Sequence, residues 1–402
     1  MLTKNTFIVL LLLASVLLTG CWDQWELRDL SVVTGLAIDK GENDEFILTM
    51  QVINPSEIAA QEEGSGFTAA QNYETRASSI QEGFRKLTQQ APRRGYFSHI
   101  AALIISEEVA SEGLSNFLDH FYRDHEIRSD FFLLIARGES ASDILSLLPP
   151  IEELTSVNLK HSLLYSENSY TAVKGVTLDD LFEDLAARGI DPVMEGVSTS
   201  GDVATGKSIE NRESVKPSAY LYVGHSGFFK ADRFVGWLDE DEVKGYNYVM
   251  SENQDTPETL SCPDDGTFVL ETQSIEPNIS VHSGNSPKIN IDIKIHSTLS
   301  EMNCEGIDVE KKESKQLMEG IMNDKVEALV NIAIQKSKEE RVDIFGLGRE
   351  VYRQKPRLWE ELKSEWYTHL AEIPVHVNVN TEVVGSGDVN NTFNVRDYID
   401  DD

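Results

Sequence analysis

Basic residues, cysteines and long apolar runs are all scarce in this chain. Lys and Arg together number 35 against 68 Asp and Glu, and the formal net charge of the 402 residues is −33. A chain this acidic is repelled by phosphate backbones and by anionic lipid surfaces, which argues against nucleic-acid binding. The 40% hydrophobic content is still enough for real cores, and the length indicates two or three globular domains.

The common catalytic signatures are also missing from the sequence. It contains no G-x-S-x-G nucleophile elbow, no P-loop, no H-E-x-x-H and no C-x-x-C. Gly346-Leu347-Gly348 lacks the third glycine of a dinucleotide loop and is interpreted as a turn between two helices. His120 and His125 are five residues apart and cannot share one helical face as metal ligands. We therefore predict no catalytic, cofactor-binding or metal-binding residue, and a protein that is not an enzyme.

The longest apolar run lies at the start of the chain. It covers residues 7–18 and follows Lys4, which is typical of a secretory signal and is too short to span a bilayer. The next residues, Leu18-Thr19-Gly20-Cys21, resemble the lipobox of bacterial lipoproteins. This resemblance implies diacylglycerol on the thiol of Cys21 and cleavage between Gly20 and Cys21. The alternative is an ordinary secretory signal with a cysteine placed there by chance.

Only two cysteines remain beyond Cys21, namely Cys262 and Cys304. In an exported chain they could form a disulfide that closes a loop of about 40 residues, which the chain-entropy model values at roughly 4 kcal/mol at most. They could equally be two free, partly buried thiols. The sequence leaves both possibilities open.

The first 200 residues alternate between short apolar strands and amphipathic helices. This alternation predicts an N-terminal mixed α/β domain over residues 22–200, with a sheet covered on both faces. The predicted strands are 31–38, 46–53, 100–106, 131–136 and 193–197, and the predicted helices are 78–90, 109–123, 141–148 and 177–188. Residues 58–71 and 199–217 are predicted to form loops.

The remaining chain is predicted to form two further domains and a tail. A small middle domain over residues 217–262 contains a hairpin, 219–229 with 233–237, and a helix capped by Asp239. A C-terminal α+β domain over 263–386 has strands beginning at Thr267, Lys288 and Pro374 and helices over 313–340 and 357–370. We expect an antiparallel sheet with the helices on one face, and Trp359 and Trp366 in the core. The tail, 387–402, is polar and acidic.

Several short segments, in order along the mature chain, together resemble one family. They are Cys21-Trp22-Asp23, 26–27, 35–39, 104–110, 113, 123–128, 140–145, 228–230, 235–238, 245, 343–348, 356, 359 and 366. In order and spacing they resemble the Ger(x)C family, the C-subunit lipoproteins of spore germinant receptors.

The resemblance implies a three-domain α+β lipoprotein, each larger domain being a sheet packed with helices. It also implies a non-catalytic subunit anchored on the outer face of the spore's inner membrane, beside the integral-membrane A and B subunits. A competing hypothesis is a solute-binding lipoprotein that delivers a small molecule to a membrane transporter, which predicts a cleft between the domains.

Overall fold

A computed structural model describes Glu26 and residues 29–54, 68–91, 93–169, 175–250, 256–284, 286–304, 307–309 and 311–385. The predicted signal peptide 1–20, Cys21, most of the predicted loop 58–71 and the acidic tail 387–402 lie outside these residues. Within them the chain forms a nine-stranded and a four-stranded sheet, each packed with helices. The predicted α+β class is confirmed.

The nine-stranded sheet has four parallel strands at its centre, β1, β5, β6 and β7, with antiparallel strands on both sides. Its order is β3-β2-β1-β5-β6-β7-β8-β9, and β4 pairs with the first residues of β1. The strands are β1 (Leu30–Lys40), β2 (Phe46–Ile53), β3 (Ala70–Ala77), β4 (Arg94–Tyr96), β5 (Ala102–Ser106), β6 (Phe132–Ala136), β7 (Val193–Gly201), β8 (Ala219–Lys230) and β9 (Arg233–Trp237). We call the side where β1, β5 and β6 begin the amino edge, and the opposite side the carboxyl edge.

Helices cover both faces of this sheet. They enclose two apolar clusters, one around Leu103 and Phe117 and the other around Ile104 and Leu159. Every residue of β5 and of β6 is buried, as expected for parallel strands packed on both faces. The helices are α1 (Ile80–Leu87), α2 (Glu107–Glu112), α3 (Ser115–Arg123), α4 (Ala141–Ser146), α5 (Thr155–Ser169) and α6 (Leu178–Ala186).

Some local predictions in this region were wrong or incomplete. The helix predicted over 109–123 is divided into α2 and α3 at Gly113, whose φ of 119° is incompatible with a helix. The predicted loop 199–217 contains two one-turn helices, α7 (Val203–Gly206) and α8 (Glu210–Glu213). Strand β3 and helix α5 were not predicted, because β3 is mostly polar and α5 has only a weak apolar periodicity.

The residues predicted as a middle domain are shared between the two sheets. The predicted hairpin is confirmed as β8 and β9, but it extends the nine-stranded sheet through β7. The predicted helix is confirmed as α9 (Glu240–Met250), capped by Asp239, and it packs in the apolar core of the second sheet. The division of the chain into domains stays a prediction.

The second sheet has the order β10-β11-β12-β13, and its last pair is parallel. Its strands are β10 (Pro257–Ser261), β11 (Gly266–His282), β12 (Lys288–Cys304) and β13 (Val375–Gly385). The expectation of an all-antiparallel sheet is therefore wrong. The long helical crossover between β12 and β13 returns the chain to the end at which β12 began, which is what a parallel pair needs.

The crossover consists of helices packed on one face of the second sheet. They are α10 (Lys312–Glu340), α11 (Leu347–Gln354), α12 (Pro356–Leu362) and α13 (Trp366–Glu372). The predicted helix over 357–370 is thus two helices, separated by a 3-10 turn at Lys363–Glu365. Trp359 and Trp366 are buried in the core with ring centres 5.5 Å apart, as predicted.

Candidate functional site

Asp191 and Asp343 form a buried pair where the segment before β7 meets the segment after α10. Asp191 is 2% exposed and Asp343 is fully buried. The backbone N–H of Asp191 donates to the carbonyl of Asp343 at 2.9 Å, and the backbone N–H of Asp343 donates to Oδ2 of Asp191 at 2.7 Å. Two residues far apart in sequence are thereby joined by reciprocal hydrogen bonds, which we call the aspartate junction.

The carboxylate of Asp343 accepts three further hydrogen bonds. The backbone N–H groups of Leu347 and Gly348, at the start of α11, donate at 2.8 and 2.7 Å, and the indole N–H of Trp366 donates at 2.8 Å. A carboxylate at a helix N-terminus satisfies backbone donors and interacts favourably with the helix dipole. Burial nevertheless raises the pKa of Asp343 to about 7, although these hydrogen bonds act to lower it.

Asp191 connects the large sheet to α13. Its Oδ1 accepts the backbone N–H of Ala231, in the turn between β8 and β9, at 2.8 Å, and the hydroxyl of Tyr367 at 3.0 Å. Burial and the neighbouring Asp191 raise the pKa of Tyr367, so its hydroxyl stays a donor. The ammonium group of Lys230 lies 4.4 Å from the centre of the Tyr367 ring, an attractive cation–π distance.

Two glycines allow the backbones to meet at this junction. Gly189 has a φ of 68°, and a Cβ added there would lie 2.5 Å from the carbonyl carbon of Gly348. A Cβ on Gly348 would in turn lie 2.8 Å from the Trp366 ring. The backbone N–H of Arg349 donates to the carbonyl of Gly189 at 2.8 Å. Only residues without side chains fit this close approach.

The junction has the properties of a structural connection. No described Lys, Arg or His side chain forms an ion pair with Asp191 or Asp343. The described ranges hold no group of His, Cys, Asp and Glu side chains that could bind a metal ion. Each carboxylate is satisfied by protein donors and shielded from water, so the arrangement can fix the relative position of the two sheets.

A separate cleft of about 550 Å³ opens at the carboxyl edge of the large sheet. This is where ligands bind in many parallel α/β sheets. Asp39, at the end of β1, accepts backbone N–H groups from Ala141 and Ser142 at 2.7 and 2.9 Å, and burial raises its pKa. Further acids line the cleft, namely Glu74, Glu107, Glu108 and Glu139. The solute-binding hypothesis predicts a cleft between the domains. The cleft at the carboxyl edge is a different one, because all the residues that line it belong to the N-terminal region.

The site residues predicted from the sequence have different outcomes. Gly20 and Cys21 lie outside the described residues, so cleavage and lipidation stay predictions. Cys262 and Cys304 are joined in a disulfide with their Cα atoms 5.8 Å apart. It connects the end of β10 to the end of β12. No helix in the described part of the chain is long and apolar enough to cross a bilayer.

The two residues of the aspartate junction are not among the site residues predicted from the sequence. Asp343 belongs to the segment 343–348 that resembles the family, and Asp191 belongs to none of these segments. One signal was available, because each is a lone acid among apolar residues that follows a helix: Ile190 and Pro192 flank Asp191, while Val342 and Ile344 flank Asp343. Nothing in the sequence indicated that the two acids meet.

Known proteins match this chain in both its N-terminal and its C-terminal regions. Residues 23–199 match the family model described as "Spore germination protein N-terminal domain", and residues 225–387 match "Spore germination B3/ GerAC like, C-terminal". Spore germination protein KC of Bacillus subtilis (strain 168) is 28% identical over 97% of this chain and 98% of its own. Spore germination protein B3 of the same organism is 23% identical over 92% and 95%.

A solved structure, "Crystal Structure of the GerBC protein", shares the fold. Its TM-score is 0.51 at 19% identity, covering 87% of this chain and 97% of that one. The two family matches lie in sequence order, and the relatives align from end to end. The chain therefore belongs to the Ger(x)C family of spore germination proteins.

Proposed function

We propose that this protein is the lipid-anchored, non-catalytic C subunit of a nutrient germinant receptor, required for bacterial spore germination. The observation that carries the proposal is the end-to-end similarity to a spore germination protein. The start of the sequence supports an anchor, because Cys21 follows a signal-like apolar run and small residues. The aspartate junction supports a rigid scaffold, since both acids are fully satisfied by protein donors.

In this proposal the lipid on Cys21 confines the folded body to the outer face of the spore's inner membrane. Confinement to the membrane raises its effective concentration next to the integral-membrane A and B subunits. Diacylglycerol on Cys21 carries two acyl chains, which is the number that stable anchoring requires. The body then contributes binding surfaces, and no bond of a nutrient is made or broken on it.

Gene disruption tests the proposed role. Spores without the protein should fail to respond to one set of nutrients and should still germinate by a route that needs no receptor. A normal response to every nutrient would contradict the proposal.

The anchor is tested by Cys21→Ser. This variant should lose incorporation of radiolabelled palmitate and should leave the membrane fraction, while the folded body stays intact by circular dichroism. Label that persists in the variant would contradict lipidation at Cys21.

A solute-binding lipoprotein is the second candidate; the cleft at the carboxyl edge favours it, although this cleft lies within the N-terminal region and not between domains. It predicts heat of binding when the mature protein is titrated with amino acids, sugars or inorganic cations, and loss of that heat in Glu108→Gln. Binding of a nutrient without any germination defect in the disrupted strain would support this candidate over the first. Absence of binding to all these solutes would exclude it.

A further inference from the structure

The strong acidity of the chain is unevenly distributed along the sequence. Residues 83–106 contain no Asp or Glu, which makes them the longest acid-free stretch after Asp23. Four basic residues fall in the first half of this stretch, Arg85, Lys86, Arg93 and Arg94. The net charge of the whole chain therefore says little about this part of its surface.

The fold places this stretch beside the first strand. Strand β4 pairs in parallel with the start of β1, where Leu30 is opposite Arg94. Helix α1 follows β3 and runs back towards the amino edge, and Arg85 in its last turn lines one pocket with Arg94 and Gly95 of β4. The basic residues and the point where the chain enters the fold thus share one edge.

Two of these arginines are available to an external partner. Arg85 and Arg93 are both exposed, and neither has a carboxylate partner within the ranges that the structure describes. Lys86 is paired with Glu82 at 2.8 Å. Arg94 is paired with Glu126. The charges of these two pairs cancel locally, which leaves Arg85 and Arg93 as the basic groups that can bind an anionic partner.

We propose that this edge, formed by Arg85, Arg93, Arg94 and His99 and here called the β4 surface, lies against anionic lipid headgroups. The inference rests on the proposed lipid anchor at Cys21. Asp29 follows Cys21 by eight residues, and an extended chain of that length reaches roughly 28 Å at most. The anchor therefore keeps the amino edge closer to the bilayer than the carboxyl edge.

Screening explains how an acidic protein can present this surface to an acidic membrane. The Debye length is about 8 Å at physiological ionic strength, so distant carboxylates contribute little at the bilayer. Only groups near the headgroups contribute, and basic side chains there are attracted to an anionic leaflet. Glu26 and Asp29, and Asp124 in the pocket beside Arg85, oppose this attraction, which makes the interaction dependent on the lipid anchor.

The test uses the mature lipidated chain in vesicles. Gln89→Cys adds one free thiol beside the β4 surface, because Cys21 is acylated and Cys262 is bonded to Cys304. A fluorophore on that thiol is quenched by nitroxide-headgroup lipids when the surface approaches the bilayer. Quenching is compared between vesicles of neutral phosphatidylcholine and vesicles with about 30% phosphatidylglycerol.

We expect at least about twofold stronger quenching on the anionic vesicles, and loss of that excess at about 0.5 M salt. In the same labelled chain, Arg85→Glu with Arg93→Glu should reduce quenching to the level on neutral vesicles. The matched control, Lys216→Glu, changes an exposed lysine just before β8, at the opposite edge, and should leave quenching unchanged.

Two other results would overturn the inference. One is equal quenching on both vesicle types in protein that floats with the vesicles, since flotation shows that the anchor itself works. The other is a variant with Arg85→Glu and Arg93→Glu in which quenching is unchanged but a membrane subunit no longer co-purifies. That result would assign the surface to a protein partner. Protein that does not float would instead refute the proposed lipid anchor.

Discussion

At the residue scale, the aspartate junction combines two buried carboxylates without a described ion-pair partner. Burying an unpaired charge is costly, and hydrogen bonds to the charged form offset part of the cost. Asp343 receives three such bonds, two of them from the first turn of α11. Its pKa is still raised to about 7 by burial, so its charge state changes close to neutral pH.

The raised pKa of Asp343 predicts a pH dependence of stability. Between pH 3.8, the ordinary value, and about 7, the folded protein keeps a proton on Asp343 that the unfolded chain releases. The native state therefore binds more protons, and the free energy of unfolding falls as pH rises through this window. The Asp343 contribution is at most about 4 kcal/mol, from roughly three units at 1.36 kcal/mol each.

Because other acids titrate in the same window, the Asp343 contribution is measured as the difference in free energy of unfolding between wild type and Asp343→Asn. That difference should shrink from about pH 5 to about pH 8. A difference that stays constant from about pH 5 to about pH 8 would show that Asp343 is ionised throughout this range.

Asp343→Asn also tests the hydrogen bonds directly. An amide has one acceptor oxygen, so its NH₂ group would face at least one of the three donors now bonded to Asp343. We expect a loss of about 1–3 kcal/mol in urea unfolding at about pH 5, where charge burial does not contribute.

The matched control for Asp343→Asn is Asp324→Asn, on the exposed side of α10 and without a partner in the described ranges. It should change stability by less than about 0.5 kcal/mol. Equal effects of the two variants would contradict the role given to Asp343.

At the element scale, the approach of Gly189 to α11 sets the distance between the two sheets. Gly189→Ala would combine a strained φ of 68° with a Cβ 2.5 Å from the backbone of Gly348. Gly138→Ala is the matched control, since Gly138 has a φ of 80° and open space around its Cβ position. Both should lose about 1 kcal/mol from strain.

Only Gly189→Ala should lose a further 1–3 kcal/mol or so through the clash, measured as a lower midpoint of urea unfolding. The same loss in both variants would mean that α11 moves away at no cost.

The elements that could be predicted from the sequence are those whose signal is local. The continuous apolar run at Phe131–Ala136 identified a buried strand, and Thr177 with Asp180 forms the capping box that starts α6. The break at Gly113 could not be predicted, because the apolar spacing continues through it. The direction of β13 was also missed, since strand direction depends on how the long helical crossover packs. Asp191 and Asp343 carry no periodic signal that would pair them.

At the scale of the whole molecule, the disulfide closes the second sheet at one end. Cys262 and Cys304 are 42 residues apart, and the chain-entropy model assigns such a loop roughly 4 kcal/mol. Cys262→Ser with Cys304→Ser should lower the free energy of unfolding by about 2–4 kcal/mol. After alkylation without reductant, mass spectrometry of the wild type should find Cys262 and Cys304 unmodified by the alkylating agent. Alkylation of both cysteines would contradict the disulfide.

The boundary between the two sheets does not coincide with the boundary between the two family matches. The N-terminal match ends at residue 199, yet β8 and β9 lie beyond it and complete the same sheet. Phe229 of β8 is fully buried in the N-terminal core, and Phe234 and Trp237 of β9 pack against it. A fragment that stops at residue 199 therefore loses core side chains and exposes the edge of β7.

A pair of fragments tests where the N-terminal unit ends. Fragment 23–238 keeps β8 and β9, whereas fragment 23–199 lacks both. Burying one large apolar side chain contributes about 1.5–3 kcal/mol, so the shorter fragment should be less stable by at least about 3 kcal/mol. We expect cooperative urea unfolding and resistance to proteolysis for 23–238, and aggregation or rapid digestion for 23–199. Equal stability of the two fragments would show that β7 tolerates an open edge and that the hairpin adds nothing to the stability of the N-terminal unit.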